Sequence, residues 1–253
     1  MNATDISLDN KASEYWKDIY INQKELCMRC RNKIMNERKR KKDMTILEPL
    51  CYVGPEYEKD SNCKLMFIGK ATWSNEKAQD TQDTRFAPFP EQTMKDKIAE
   101  NGDFWKWMTQ IAYELEIGGK LDSLPKEKQF NARCKAFRRV AYSNLVKCDL
   151  HKLGSEFSGD SDIIENCMNN AGWIYDEIRK LDPDNIIFFI GVNDDTLAKS
   201  LLSNRNLDEI NDRVLIEEDV SFGESKNSKK LFRHLRWGDK RIIVTVHPQG
   251  TLL

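Results

Sequence analysis

Leu65-Met66-Phe67-Ile68-Gly69 is a short, unbroken apolar run that stops at a turn residue. A run of this kind marks a buried strand opening onto a loop. Further along, Val140 to Val146 is a second strand candidate, Ile186 to Ile190 a third that closes on Gly191, and Ile242 to Val246 the last. Helical patterns lie between them. Phe104 to Leu115 places Phe104, Trp105, Met108, Ile111, Ala112 and Leu115 on one apolar side. Ile163 to Leu181 reads as a helix that Asp182-Pro183 ends, and Thr196 to Leu202 suggests another. Strands alternating with helices predict an α/β fold, a three-layer α/β/α sandwich around a central, mainly parallel four-stranded sheet. Ligands of such sheets bind beyond the carboxyl ends of the strands, expected here at Gly69, Asn144, Gly191 and His247.

The chain has 253 residues, 40% hydrophobic and 32% charged, an ordinary balance for a globular protein. No internal repeat or low-complexity linker divides it, so one domain is expected over 1–253. Residues 1–60 read as a helical, cysteine-bearing extension, with Tyr15, Trp16, Ile19 and Tyr20 at helical spacing. No apolar stretch approaches the ~20 residues that span a bilayer, and the polar segment from Met1 to Asn10 is no secretory signal. A cytoplasmic monomer without membrane association is the expectation. Seven cysteines, an odd number, do not suit a disulfide framework in that compartment.

A net charge of -1 gives no overall basic signature, but charge is unevenly placed. Arg38-Lys39-Arg40-Lys41-Lys42 is one basic run, and Lys226 to Arg241 holds seven Lys or Arg against one Asp. Such runs are solvated faces or phosphate-binding strips, and composition does not choose between them.

Three strand-end segments resemble the motifs of the uracil-DNA glycosylase superfamily, closest to its iron–sulfur branch. Phe67-Ile68-Gly69-Lys70-Ala71-Thr72-Trp73 resembles the first motif, Ser143-Asn144-Leu145-Val146-Lys147-Cys148 the asparagine motif, and His247-Pro248-Gln249 the closing motif. Their order is that of the family, and Ile186 to Gly191 falls where the family has a strand ending in glycine. The resemblance implies a DNA N-glycosylase that hydrolyses the bond to a flipped-out uracil or modified pyrimidine and leaves an abasic site.

The cysteines extend the likeness. Cys27 and Cys30 precede the first strand, Cys148 ends the asparagine motif, and Cys167 follows on a helix. The branch has a cysteine at each of these places, which implies a structural [4Fe–4S] cluster on four thiolates. Two other readings stay open. Cys27, Cys30, Cys51 and Cys63 would suit a tetrahedral structural zinc, or most of the thiols are buried and inert.

Excision requires the nucleotide to leave the stack, and negative charge on the departing base to be stabilised. The resemblance gives Asn144 to base recognition and His247 to the departing base's oxygen. It makes Gly69, Lys70 and Ala71 part of the base pocket, and Phe89 the aromatic that stacks on the base, with Phe86 as second choice. The branch carries a glutamate where this chain has Lys70, and protonated lysine cannot activate water. Asp83 is the first candidate to replace it, with Asp80 and Glu76 beside it in sequence; leaving-group stabilisation alone, or a pocket rebuilt for a modified base, are the other solutions. A rebuilt pocket would suit defence against bacteriophage DNA as well as repair. Lys230 and Arg233 from the second basic run and Gln249 from the closing motif are candidate DNA contacts, with Leu252 a candidate wedge. The competing expectations are a non-catalytic nucleic-acid-binding member of the same fold and a zinc-bearing α/β protein.

Overall fold

A computed structural model describes residues 51–59, 63–72, 95–96, 98–99, 103–149, 167, 173–190, 215–222 and 229–245. The fold is α/β, with helices interleaved among the strands of a mixed sheet. The strands are β1 (Cys51–Val53), β2 (Leu65–Thr72), β3 (Val140–Asp149), β4 (Asn185–Phe189), β5 (Leu215–Phe222), β6 (Lys229–Trp237) and β7 (Lys240–Thr245). Among the described residues the α-helices with defined bounds are α1 (Asp103–Ile117), α2 (Lys126–Phe137) and α3 (Trp173–Leu181). Four strands were expected; the sheet has seven, in the order β1–β3–β2–β4–β7–β6–β5. The chain divides into two compact units, one of Met1–Tyr52, Lys70–Pro90 and Ser143–Lys180, the other of Val53–Gly69, Glu91–Tyr142 and Leu181–Leu253.

In the second unit β2, β4 and β7 are parallel and in register, from Leu65–Asn185–Arg241 at one end to Gly69–Phe189–Thr245 at the other. Met66, Ile68, Ile186, Phe188, Ile242 and Val244 are buried on one face. Leu65, Phe67, Ile187 and Phe189 are buried on the opposite face of β2 and β4. Strands covered on both sides must be apolar at nearly every position, which is why these two read as continuous hydrophobic runs.

The antiparallel strands β5 and β6 were not foreseen, because β6 reads as a charge run. Its pattern is nevertheless period-two: Leu235 and Trp237 are buried, whereas His234 and Arg236 are half-buried. Gly238 and Asp239 make the two-residue loop to β7, and Gly238, at φ 58°, supplies the left-handed backbone such a tight hairpin needs.

Helices α1 and α2 follow β2 and lead into β3. Phe104, Met108 and Ala112 form the buried stripe of α1, as expected, but Leu115 is 57% exposed and lies beyond that contact. Gly118 at φ 75° ends the helix in the manner of a C-terminal glycine, its N–H donating to the Glu114 carbonyl. Helix α2 escaped the sequence reading because only Arg133, Ala136 and Phe137 are buried along its length. The described part of α3 begins at Trp173, later than the expected helix start. It ends as expected, with Asp182 left-handed at φ 43° before Pro183. Lys240 Nζ lies 2.5 Å from Asp182 Oδ1, and its hydrogen bond holds the Asp182 carboxyl below the usual range.

The turn after β1 is fixed by close backbone approach. Gly54 N–H donates to the Val140 carbonyl at 3.0 Å and Glu56 N–H to the Arg138 carbonyl at 2.8 Å. The Glu56 carboxylate accepts from Arg138 Nε at 2.9 Å and lies 3.5 Å from Arg139 Nε. The Arg138 hydrogen bond is the main reason its carboxyl is held below the ordinary glutamate value, against some opposition from burial. A carboxyl depressed in the folded state adds stability above its unfolded pKa and loses it as pH falls through the folded one. Urea melts should therefore show wild-type protein gaining on Glu56→Gln as pH rises from about 3 to about 6, with the ordinary glutamate value near 4.3 inside that window. A Glu56→Gln difference that does not change over that range would remove this pair from the stability account.

Candidate active site

The parallel pairing of β2, β4 and β7 ends at Gly69, Phe189 and Thr245, which are neighbours; β4 and β7 stop there while β2 runs on to Thr72. Adjacent strands lie about 4.8 Å apart, so these three backbones span about 10 Å, a width suited to one nucleobase. Strand order adds a second reason to look here. The chain passes from β2 to β3 on one side and returns to β4 on the other. That reversal makes β2 and β4 a topological switch point, where open α/β sheets leave a crevice beyond the strand ends.

Beneath this edge lies a packed aromatic layer. Phe67 stacks on Phe189 with centroids 5.8 Å apart, and Phe104 meets Phe189 edge-on at 5.6 Å. Phe104 also contacts Tyr142 at 5.8 Å, and Trp105 contacts Tyr142 at 5.2 Å. The N-terminal turn of α1 is thereby set against the sheet face that carries Gly69 and Phe189. Phe67, Phe104, Tyr142 and Phe189 are buried, as is Gly69, so this layer is packed core beneath the strand ends. The individual apolar residues were legible in the sequence, but Tyr142 as a member of this layer was not.

Asn144 belongs to the other unit and is 1% exposed. It was expected at a strand end; it is instead within β3, which continues to Asp149. Likewise β2 does not stop at Gly69 but runs through Lys70 and Ala71 to Thr72. The neighbouring Ser143 hydroxyl donates to the carboxylate of Glu177, and both side chains are fully buried. Sequence reading did not find this pair, because a glutamate inside an amphipathic helix carries no signal of burial. Successive residues of a strand face opposite sides, so Glu177 serves Ser143 on the face away from Asn144. It is therefore not a carboxylate that shares Asn144's surroundings.

Asp83, Phe89, His247, Gln249 and Leu252 lie outside the described residues, as do Phe86, Asp80 and Glu76. Lys230 and Arg233 are on β6, in register with Ser221 and Asp219 of β5. Of the cysteines expected to hold a cluster, Cys27 and Cys30 also lie outside the described residues. Cys148 is in β3, and Cys167 is buried. Among the described residues no three Cys, His, Asp or Glu side chains gather to hold a metal. Cys63, a member of the alternative zinc set, accepts a hydrogen bond from Asn185 Nδ2 at 2.7 Å. Burial, then the charges of Glu116 and Asp184, push its thiol up from the ordinary cysteine value.

No helix among the described residues is long and apolar enough to cross a membrane. Comparison with protein-family models, curated proteins and solved structures finds no match to this chain.

Proposed function

We propose that this chain is a DNA N-glycosylase that takes a flipped uracil or modified pyrimidine at the carboxyl edge of β2, β4 and β7 and releases it by hydrolysis. The observation that carries this reading is the shared register of Gly69, Phe189 and Thr245. His247 follows Thr245 by two residues, which reach at most about 7 Å.

In this account Asn144 reads the base edge, offering one donor and one acceptor, and His247 donates to the oxygen on which charge gathers as the bond breaks. Phe89 covers the base. Lys70 stands where the branch has its acid, so Asp83 orients water, or leaving-group stabilisation carries most of the reaction. The [4Fe–4S] cluster on Cys27, Cys30, Cys148 and Cys167 has a structural role and takes no part in these steps. The setting is DNA repair or defence against DNA with modified bases.

The test is incubation with duplexes that carry uracil, hydroxymethylated or glucosylated pyrimidines, followed by heating in alkali to cut abasic sites. Cleavage at one of these bases is expected. Intact strands throughout, from protein that still binds the duplexes, would instead favour the non-catalytic nucleic-acid-binding reading.

A further inference from the structure

We infer that Glu177 is a positioning residue for Asn144: with Ser143 it fixes helix α3 on strand β3, and so sets where the Asn144 amide meets the base edge. The inference rests on the proposed function, because it assigns a part in reading the base. Ser143, Asn144 and Glu177 belong to one compact unit. The Ser143 hydroxyl donates to the Glu177 carboxylate, and neither side chain is exposed at all.

Each partner interrupts an apolar line. On α3, Ile174, Glu177 and Ile178 fall at the spacing of one helix face, and all three are buried. On β3, Ser143 stands between Ala141 and Leu145 on one face of the strand, both buried as well. A leucine on the helix and an alanine on the strand would satisfy packing alone. They would also avoid the cost of taking a carboxyl group and a hydroxyl out of water. What the polar pair adds is direction. Apolar side chains tolerate sliding of one element along another, whereas a hydrogen bond weakens steeply with length and angle. A slip of α3 by one residue, about 1.5 Å along its axis, would break the bond. Fixing register is the best-attested use of buried polar groups.

The fixed point lies one peptide from the candidate base reader. Asn144 is buried, and its side chain leaves β3 on the face opposite Ser143. The trans peptide between them is planar and sets their Cα atoms about 3.8 Å apart, so a strand held at Ser143 has little freedom at Asn144. A carboxamide tells pyrimidines apart by matching one donor and one acceptor to the base edge. Uracil offers a ring N–H beside a carbonyl, and cytosine a bare ring nitrogen beside an amino group. Such matching needs placement to within about 0.5 Å, so loss of the clasp should show first as lost discrimination.

The test is single-turnover base release, with duplex affinity and melting temperature, from matched duplexes carrying uracil or cytosine, plain and hydroxymethylated. Full-length wild type is compared with Glu177→Leu/Ser143→Ala, an apolar replacement of the clasp. Glu177→Gln keeps an oxygen that accepts from Ser143, and Ile178→Val trims the same helix face without touching the pair. The double variant should release the preferred base about tenfold more slowly and lose about tenfold of the preference between the two edges. Its affinity for the duplex should stay within about twofold of wild type. Glu177→Gln should keep the preference within about threefold, and Ile178→Val should melt earlier with the preference intact. Should the double variant not fold, Ser143→Ala carries the test, with a loss of preference of at least about threefold. A wild-type preference in the folded double variant, or in Ser143→Ala in its place, would overturn the inference, as would an equal loss in Ile178→Val. Those results leave the glycosylase reading standing, since wild-type protein still releases base. Wild-type protein that releases no base from any duplex removes both.

Discussion

His247→Ala is expected to slow base release by about 10²–10³-fold in single-turnover assays while leaving affinity for the substrate duplex nearly unchanged. The expectation follows from where the barrier lies. As the N-glycosidic bond breaks, charge moves onto the departing base, and a donor aimed at that oxygen is worth far more in the transition state than in the bound substrate. Loss of such a donor lowers turnover without weakening binding, because the interaction is made mainly as charge develops. Lys70 sharpens the expectation. If no other carboxylate such as Asp83 orients water in its place, more of the barrier is left to leaving-group stabilisation. His247→Ala should then fall toward the upper end of the range. A loss of less than about fivefold, or an equal loss of binding, would remove His247 from this role.

The second large effect concerns the fold. A Cβ on Gly54 would lie 2.1 Å from the Arg138 carbonyl oxygen and 2.4 Å from its carbon, both backbone atoms. No rotamer relieves such an overlap. Either the turn after β1 moves or the segment entering β3 does, and each route breaks the hydrogen bonds from Gly54 to Val140 and from Glu56 to Arg138. Overpacking typically costs about 1–3 kcal/mol, and each lost hydrogen bond adds about 1 kcal/mol. Gly54→Ala should therefore cost about 3–5 kcal/mol in urea unfolding, a large fraction of the ~5–15 kcal/mol stability of an ordinary domain. A cost below about 1 kcal/mol would mean that this backbone contact is looser than described.

These two cases mark where sequence alone informs and where it does not. The parallel core was legible because β2 and β4 are covered on both sides and so must be apolar throughout. The end of α3 was legible as well, since Asp182-Pro183 can hardly continue a helix. By contrast β6 hides behind Lys229, Lys230, Arg233 and Arg236, whose density makes the stretch resemble a solvated run although Leu235 and Trp237 are buried. Helix α2 was missed for a related reason: with three buried positions it has almost no apolar stripe. Gly54 could be seen as a turn residue, but its need to lack a side chain depends on Arg138, more than eighty positions along the chain.

For the site, the glycine closing the apolar part of β2 was a readable signal, and parallel registration supplied what spacing could not: the side-by-side placement of Gly69, Phe189 and Thr245. The sequence pattern misplaced Asn144 at a strand end, because Leu145 to Asp149 carries mixed polarity yet continues β3. The buried Ser143–Glu177 pair gave no signal at all, since burial of a carboxylate is decided by what packs over it.

The central claim is tested most directly by looking for the product itself. Purified protein would be incubated with DNA carrying uracil or a modified pyrimidine, and the low-molecular-weight fraction analysed by mass spectrometry before any alkali is added. The account predicts free base in amounts equal to the abasic sites formed, with the phosphodiester backbone intact. Free base absent from every substrate, or release as a nucleotide with a broken strand, would contradict it.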